Sequence, residues 1–330
     1  MLDCGTYQPF GCFQGSPTPV EWLEPLSTAA TSLWVKRDDL TNPIYGGSKV
    51  RKLGPLLEDA KRRGATRLVT VGALGSHHVL ATGLFGRLAG LQVEALILSQ
   101  PRSAHVLETV RASAGQGVTL IPVASYTEAV RQLAARAAAG AYSIPAGGTN
   151  LLGTLGLLEA AAELAQQVHA GLLPEPDLLV LPLGSGGTAA GLVAGLVQAG
   201  LRTRVLAVAV AEPSKVFAHK ARALAKALLA PSLHATALQR LEIERGYLGE
   251  GYGYPSSAGE HATRQAERVG LTLDATYTAK AFAAALARVA FGSEQHILFW
   301  HTLSSRSLLP LLKDAPQEHE LAIEVRRLAR

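Results

Sequence analysis

Short runs of apolar residues alternate along this chain with stretches in which apolar positions recur every three or four residues. The runs at 33–36, 68–71, 93–98, 118–123, 178–183, 205–210 and 297–300 read as strands. Helical periodicity covers 50–63, 76–90, 103–115, 126–139, 152–170, 187–200, 214–229, 258–269 and 278–291. Strands that are apolar throughout and separated by helices imply parallel sheets covered on both faces, as in doubly wound α/β proteins. The segment 64–150 holds its own strand–helix run and can form a smaller lobe inserted into a larger one; Gly147-Gly148, after Tyr142-Ser143-Ile144-Pro145, marks the return crossing. Ligands of such folds bind beyond the carboxyl ends of the strands. That directs attention to the loops at 72–77, 146–150, 184–188, 211–214 and 301–305.

Composition narrows the class. With 48% hydrophobic and 17% charged residues over 330 positions, the chain reads as globular and long enough for two lobes. The formal charge of +5 is scattered, with short runs such as Lys61-Arg62-Arg63 at predicted helix ends, where cations suit the helix dipole. No basic stripe with interleaved aromatics argues for nucleic acid, and no apolar run approaches a bilayer span. Cys4 and Cys12 have no C-x-x-C spacing, and no secretory signal is evident, so a reduced, cytoplasmic protein is expected. Dispersed histidines without an H-x-x-x-H pair give no expectation of a metal.

Two segments carry candidate chemistry. A strand ending at Leu183 breaks into Gly184-Ser185-Gly186-Gly187-Thr188 and then a helix. Bare backbone N–H groups at a helix N-terminus, with two hydroxyls, suit a phosphate. The same loop fits a relaxed dinucleotide fingerprint, Gly184-x-Gly186-x-x-Ala189, but Glu212 lies too late for the usual ribose contact. A tight turn that binds nothing is the plain alternative. Upstream, Gly46-Gly47-Ser48-Lys49 sets a lysine at a constrained turn that opens a helix. Such a lysine can form a Schiff base, although an isolated lysine there is ordinarily a surface residue. A phosphate and an aldehyde together describe pyridoxal 5'-phosphate.

Lys36-Arg37-Asp38-Asp39-Leu40 followed by Tyr45-Gly46-Gly47-Ser48-Lys49-Val50-Arg51-Lys52-Leu53 resembles the opening of the 1-aminocyclopropane-1-carboxylate (ACC) deaminase/D-cysteine desulfhydrase family. The likeness continues in order through Val71–His77, Ile144–Asn150, Gly184–Gly191, Tyr252-Gly253-Tyr254-Pro255, Asp274–Ala281 and His301-Thr302. These are pyridoxal-phosphate enzymes of the tryptophan-synthase-β fold type. The resemblance implies an α/β, two-lobed fold type II architecture with mostly parallel twisted sheets flanked by helices. Its larger cofactor-binding domain would span 1–63 and 151–330, and its smaller domain 64–150. It implies that Lys49 forms the Schiff base, that Gly184, Ser185, Gly186, Gly187 and Thr188 hold the phosphate, and that Thr302 with Thr278 faces the pyridine nitrogen. Ser76 would handle the substrate carboxylate or a proton, and Tyr252 and Tyr277 would flank substrate and ring. A hydroxyl at the pyridine nitrogen makes the ring a weaker electron sink, which suits β-elimination.

Several positions depart from the family pattern. Ser48 replaces asparagine before the lysine, and His77 stands where an asparagine would meet the cofactor's phenolic oxygen. Leu303-Ser304 replaces a glycine pair, and Thr278 replaces the deaminases' glutamate. The last change favours a D-cysteine desulfhydrase-like lyase over an ACC deaminase; a non-catalytic relative binding the cofactor or an amino acid is the alternative from another class. The resemblance further implies a small amino-acid substrate, a place in amino-acid metabolism and a homodimer.

Overall fold

The computed structural model describes residues 17–329 of the 330-residue chain. Cys4 and Cys12 lie outside them. In chain order the elements are β1 (Val20–Trp22), β2 (Ser32–Lys36), α1 (Ser48–Arg62), β3 (Arg67–Ala73), α2 (His77–Leu88), β4 (Gln92–Leu98), α3 (Ala104–Gly115), β5 (Thr119–Pro122), α4 (Tyr126–Ala138) and β6 (Tyr142–Ser143). There follow α5 (Leu151–His169), β7 (Leu178–Leu183), α6 (Gly187–Gln198), β8 (Arg204–Ala209), α7 (Ser214–Ala227), α8 (His234–Arg240) and β9 (Leu241–Glu244). The chain ends through α9 (Ser257–Glu267), α10 (Thr278–Phe291), β10 (His296–Trp300), α11 (Leu309–Leu312) and α12 (Ile323–Arg326).

The elements form two compact units. Of the described residues, one comprises Leu53–Thr149 and the chain from Arg306; the other comprises 17–52 and Asn150–Ser305. The part of α1 from Leu53, and the C-terminal segment, group with the smaller sheet. That sheet is parallel throughout, in the order β5-β4-β3-β6. The six-stranded sheet runs β1-β2-β10-β7-β8-β9 and is parallel except for β1.

Alternation along the central strands explains why the larger sheet is covered twice. Leu179, Leu181 and Leu183 of β7 join Val205, Ala207, Leu298 and Trp300 in a core under α5 and α6. Leu178 and Val180 join Leu206, Val208, Ile297 and Phe299 in a second core that includes Phe282 of α10. Successive strand residues point to opposite faces, so an unbroken apolar run fills both cores. Each leucine buried this way contributes about 1.5–3 kcal/mol.

Strand order also positions the candidate site. β10, late in the chain, inserts between β2 and β7, with Trp300 level with Lys36. Because these strands are parallel, the loops after β2, β10 and β7 emerge side by side at one edge. These loops carry the Gly46–Lys49 turn, Thr302 and the glycine-rich segment.

Candidate active site

Lys49 stands in the first turn of α1 on a backbone stitched to the loop after β10. Gly47 has φ +91°, and a Cβ there would meet the Thr302 carbonyl oxygen at 2.6 Å. The Ser48 N–H donates to that carbonyl at 3.2 Å, and the Gly46 N–H donates to Ser304 Oγ at 2.9 Å. Ser304, at one of the departures from the family pattern, thus holds the lysine turn. The Ser48 hydroxyl is buried with no hydrogen-bond partner among the described residues. Lys49 Nζ lies 5.9 Å from the centre of the Tyr277 ring. Burial pushes its pKa below the ordinary lysine value, against the opposing charge of Asp274, so more of its amine is neutral at a given pH.

A second buried cluster fixes this turn from the other side. Arg51 pairs with Asp38 and Glu163, Lys36 Nζ donates to Glu163 at 2.5 Å, and Trp300 Nε1 donates to Asp38 at 2.9 Å. Burial favours a neutral Glu163, but Arg51 and Lys36 outweigh it and hold the carboxyl down at about 2. The residues of the Lys-Arg-Asp-Asp motif therefore act as scaffold beneath Lys49. Pro55 has no N–H for the Arg51 carbonyl, and Gly156 of α5 comes so close to that oxygen that a Cβ would stand 1.9 Å from it.

The glycine-rich segment links β7 to α6. Gly186, the residue before the helix, has φ +91°, and a Cβ on it would meet the Phe217 carbonyl of α7 at 2.8 Å. No side chain caps α6. By contrast, Ser76, Ser103, Ser125, Asn150 and Ser256 each cap the helix they precede. The first N–H groups of α6 thus rely on no capping side chain, and the helix dipole makes this end positive. Thr188 is buried in its first turn. The Tyr277 ring lies against Gly184, its Cε1 3.0 Å from where a Cβ would be, so one aromatic ring touches both the lysine and the loop. Lys52, one turn after half-buried Lys49, is fully buried; burial first, then the charges of Lys49 and Lys220, push its pKa well down.

Tyr277 donates its hydroxyl to Tyr252 Oη at 3.0 Å, the rings meeting edge to face at 5.6 Å. Burial raises both phenols, Tyr252 to about 12, and keeps them protonated near neutral pH. Asp274 caps α10: its carboxylate accepts the N–H groups of Thr276, Tyr277 and Thr278 at 2.8–3.1 Å and the Thr278 hydroxyl at 2.7 Å. The Thr278 hydroxyl is thereby paired with the residue that anchors the start of its own helix. Lys280, buried one turn later, donates to the carbonyls of Leu248 and Gly251 at 2.8 and 2.7 Å and so fixes the segment leading into Tyr252. Lys52, Asp274 and Lys280 are functional or supporting residues that the sequence reading left unassigned.

Ser76 and His77 belong to the other unit. Ser76 accepts the Val79 N–H at 3.4 Å as the cap of α2, a bond that leaves its hydroxyl hydrogen unused. His77 Nε2 lies 2.9 Å from His105 Nε2, so at most one of these nitrogens carries a proton. His78 is buried against Thr70 Oγ1 at 2.8 Å and serves the core. Among the described residues, no group of three His, Cys, Asp or Glu side chains could hold a metal ion, and no helix is long and apolar enough to cross a membrane.

Comparison with known proteins gives a consistent outcome. Residues 13–302 match the family model described as pyridoxal-phosphate dependent enzyme. The nocardicin C-9' epimerase of Nocardia uniformis subsp. tsuyamanensis is 35% identical over 91% of this chain and 93% of its own length. The D-cysteine desulfhydrase of Klebsiella pneumoniae (strain 342) is 35% identical over 87% of this chain and 92% of its own. A solved structure of an ACC deaminase homologue superposes with a TM-score of 0.75 at 28% identity, over 93% of this chain and 100% of the other. O-ureido-L-serine synthase, 18% identical with a TM-score of 0.65, shares the fold. The uncapped start of α6 at Gly186 and the half-buried Lys49 of α1, with its lowered pKa, fit a cofactor with a phosphate and an aldehyde. The chain therefore belongs to the pyridoxal-phosphate-dependent enzymes, and pyridoxal 5'-phosphate is its cofactor.

Proposed function

We propose that this enzyme is a lyase that eliminates a β-substituent from a small amino acid, with D-cysteine the first substrate to test. The carrying observation is the meeting of Lys49, Tyr277 and Gly184 within one unit. The 35% identity to a D-cysteine desulfhydrase supports the choice of reaction. Gly184, Ser185, Gly186, Gly187 and Thr188 hold the phosphate, Lys49 takes the aldehyde, and Thr302 faces the pyridine nitrogen. Bound there, pyridoxal phosphate supplies an electron sink for the pair left at Cα when its proton departs.

The protein's own groups move the protons. Lys49, with its pKa lowered by burial, removes the Cα proton as its neutral amine. Tyr277 donates to Tyr252, which leaves the Tyr252 hydrogen for an acceptor beyond the pair, here the departing sulfur. Ser76 binds the substrate carboxylate, and His77 takes the asparagine's place at the phenolic oxygen. With water consumed, D-cysteine yields a 2-oxo acid, ammonia and hydrogen sulfide. The larger unit carries the cofactor; a cytoplasmic homodimer completes the proposal.

The equally similar nocardicin epimerase favours a second reading, inversion at Cα without loss of the β-substituent. Ammonia and sulfide release, measured together with chiral analysis of D- and L-cysteine in D2O, separates the two. Sulfide and ammonia from D-cysteine support elimination. Deuterated, inverted amino acid without ammonia replaces it with epimerisation, and ammonia from ACC instead points to the deaminase.

A further inference from the structure

The loop that ends on Ser76 is held by three successive N–H groups. Leu74 donates to the Leu98 carbonyl, Gly75 to Gln100 Oε1 and Ser76 to the Ala73 carbonyl, each at 3.0 Å. Two of these acceptors are backbone carbonyls; the third is a side chain. Gly75 is buried, and a Cβ on it would meet Val106 of α3 at 2.8 Å. The loop thus passes hard against α3, where a buried N–H needs a partner within the protein. That need fixes the Gln100 amide with its oxygen towards Gly75 and its nitrogen away. Gln100, just past β4, is itself buried. Its own N–H donates to the Leu328 carbonyl at 3.1 Å, and it pairs with Ala329 in a parallel bridge. The C-terminal segment is fastened alongside: Arg102 reaches Glu318 through bonds of 2.6 and 2.9 Å, and Arg111 Nε donates to the Pro316 carbonyl at 2.9 Å. Gln100 is therefore held through its backbone and holds, through its side chain, the residue before Ser76. A Cβ on Gly72 would stand 2.6 Å from Ser76 Oγ, so the hydroxyl is confined on that side as well.

We propose that Gln100 is a positioning residue for Ser76: its amide oxygen, anchored by the C-terminal segment, sets where the Ser76 hydroxyl meets the substrate carboxylate. This rests on the reading of Ser76 as the carboxylate-binding hydroxyl. Gln100 acts on substrate binding, through Ser76, and not on proton transfer.

The test measures KM and kcat for turnover of D-cysteine, by elimination or inversion, in wild type, Gln100→Met, Ser76→Ala and the double variant, with hydrogen exchange at the Gly75 amide. Methionine matches glutamine in length and lacks the acceptor. Gln100→Met is therefore expected to expose the Gly75 amide to exchange and to raise KM about tenfold, with kcat changed less than about twofold. In the Ser76→Ala background the same substitution should change KM by less than about twofold, because the group it positions is gone. Gln100→Glu keeps an acceptor oxygen and should keep the Gly75 amide protected. Retained Gly75 protection or an unchanged KM in Gln100→Met overturns the proposal, as does the full loss added again on Ser76→Ala. If Ser76→Ala itself keeps the wild-type KM, the reading of Ser76 falls first, a different and recognisable failure.

Discussion

Two clusters of buried charge flank the first turn of α1, and they are built on opposite principles. On one side Arg51 and Lys36 meet Asp38 and Glu163, so that each cation has a carboxylate. On the other side Lys49 and Lys52 stand one turn apart, and burial lowers the pKa of both, opposed by Asp274 at Lys49 and reinforced by the charges of Lys49 and Lys220 at Lys52. The first arrangement balances its own charge and serves to hold the turn in place. The second holds two amines whose pKa burial pushes down, and Lys49 faces the ring of Tyr277, which lies against Gly184. Two residues of separation along one helix distinguish scaffold from site.

Substitutions should divide along the same line. Lys49→Ala has the largest expected effect: loss of the visible absorption band of the bound cofactor and a fall in kcat of at least about a thousandfold. Circular dichroism and unfolding midpoint should be unchanged. Glu163→Gln should do the reverse, leaving buried cations short of a partner at a cost of about 3–5 kcal/mol in urea unfolding. Its preference for the phosphorylated cofactor should stay at the wild-type level. The pH dependence follows from the depressed carboxyl: with a folded-state pKa of about 2 against an ordinary 4.5, Glu163 adds stability above pH 4.5. That stability is lost as the pH falls from 4.5 towards 2, and Glu163→Gln should flatten the acid limb of the stability curve.

Tyr252→Phe should lower kcat about a hundredfold on a substrate with a poor leaving group and much less on one with a good leaving group. Equal losses on both would remove Tyr252 from the proton path. Gly186→Ala forces a side chain into a left-handed backbone and against the Phe217 carbonyl. It should weaken cofactor binding about tenfold by titration, with strain of about 1–3 kcal/mol in unfolding.

Much of the larger unit was legible because its central strands bury both faces. Residues 178–183 form an unbroken apolar run, and the observed β7 has those bounds. β9, Leu-Glu-Ile-Glu, alternates at an edge and escaped notice, as did the three-residue β1 and two-residue β6. Lys49 and the glycine-rich loop stood out because glycines marked their turns. Lys52, Lys220 and Lys280 did not, since a lysine on a helix looks the same in sequence whether it meets water, a carbonyl or another lysine. The pairing of the Thr278 hydroxyl with Asp274 was illegible for a related reason, since only the structure shows the partner.

The central claim is that Lys49, and not Lys52 or Lys220, takes the cofactor's aldehyde. Borohydride reduction of the loaded enzyme, followed by peptide mass mapping, tests it directly. The account predicts a single pyridoxyl label on Lys49. A label on Lys52 or Lys220, or no stable label on any lysine, would contradict it.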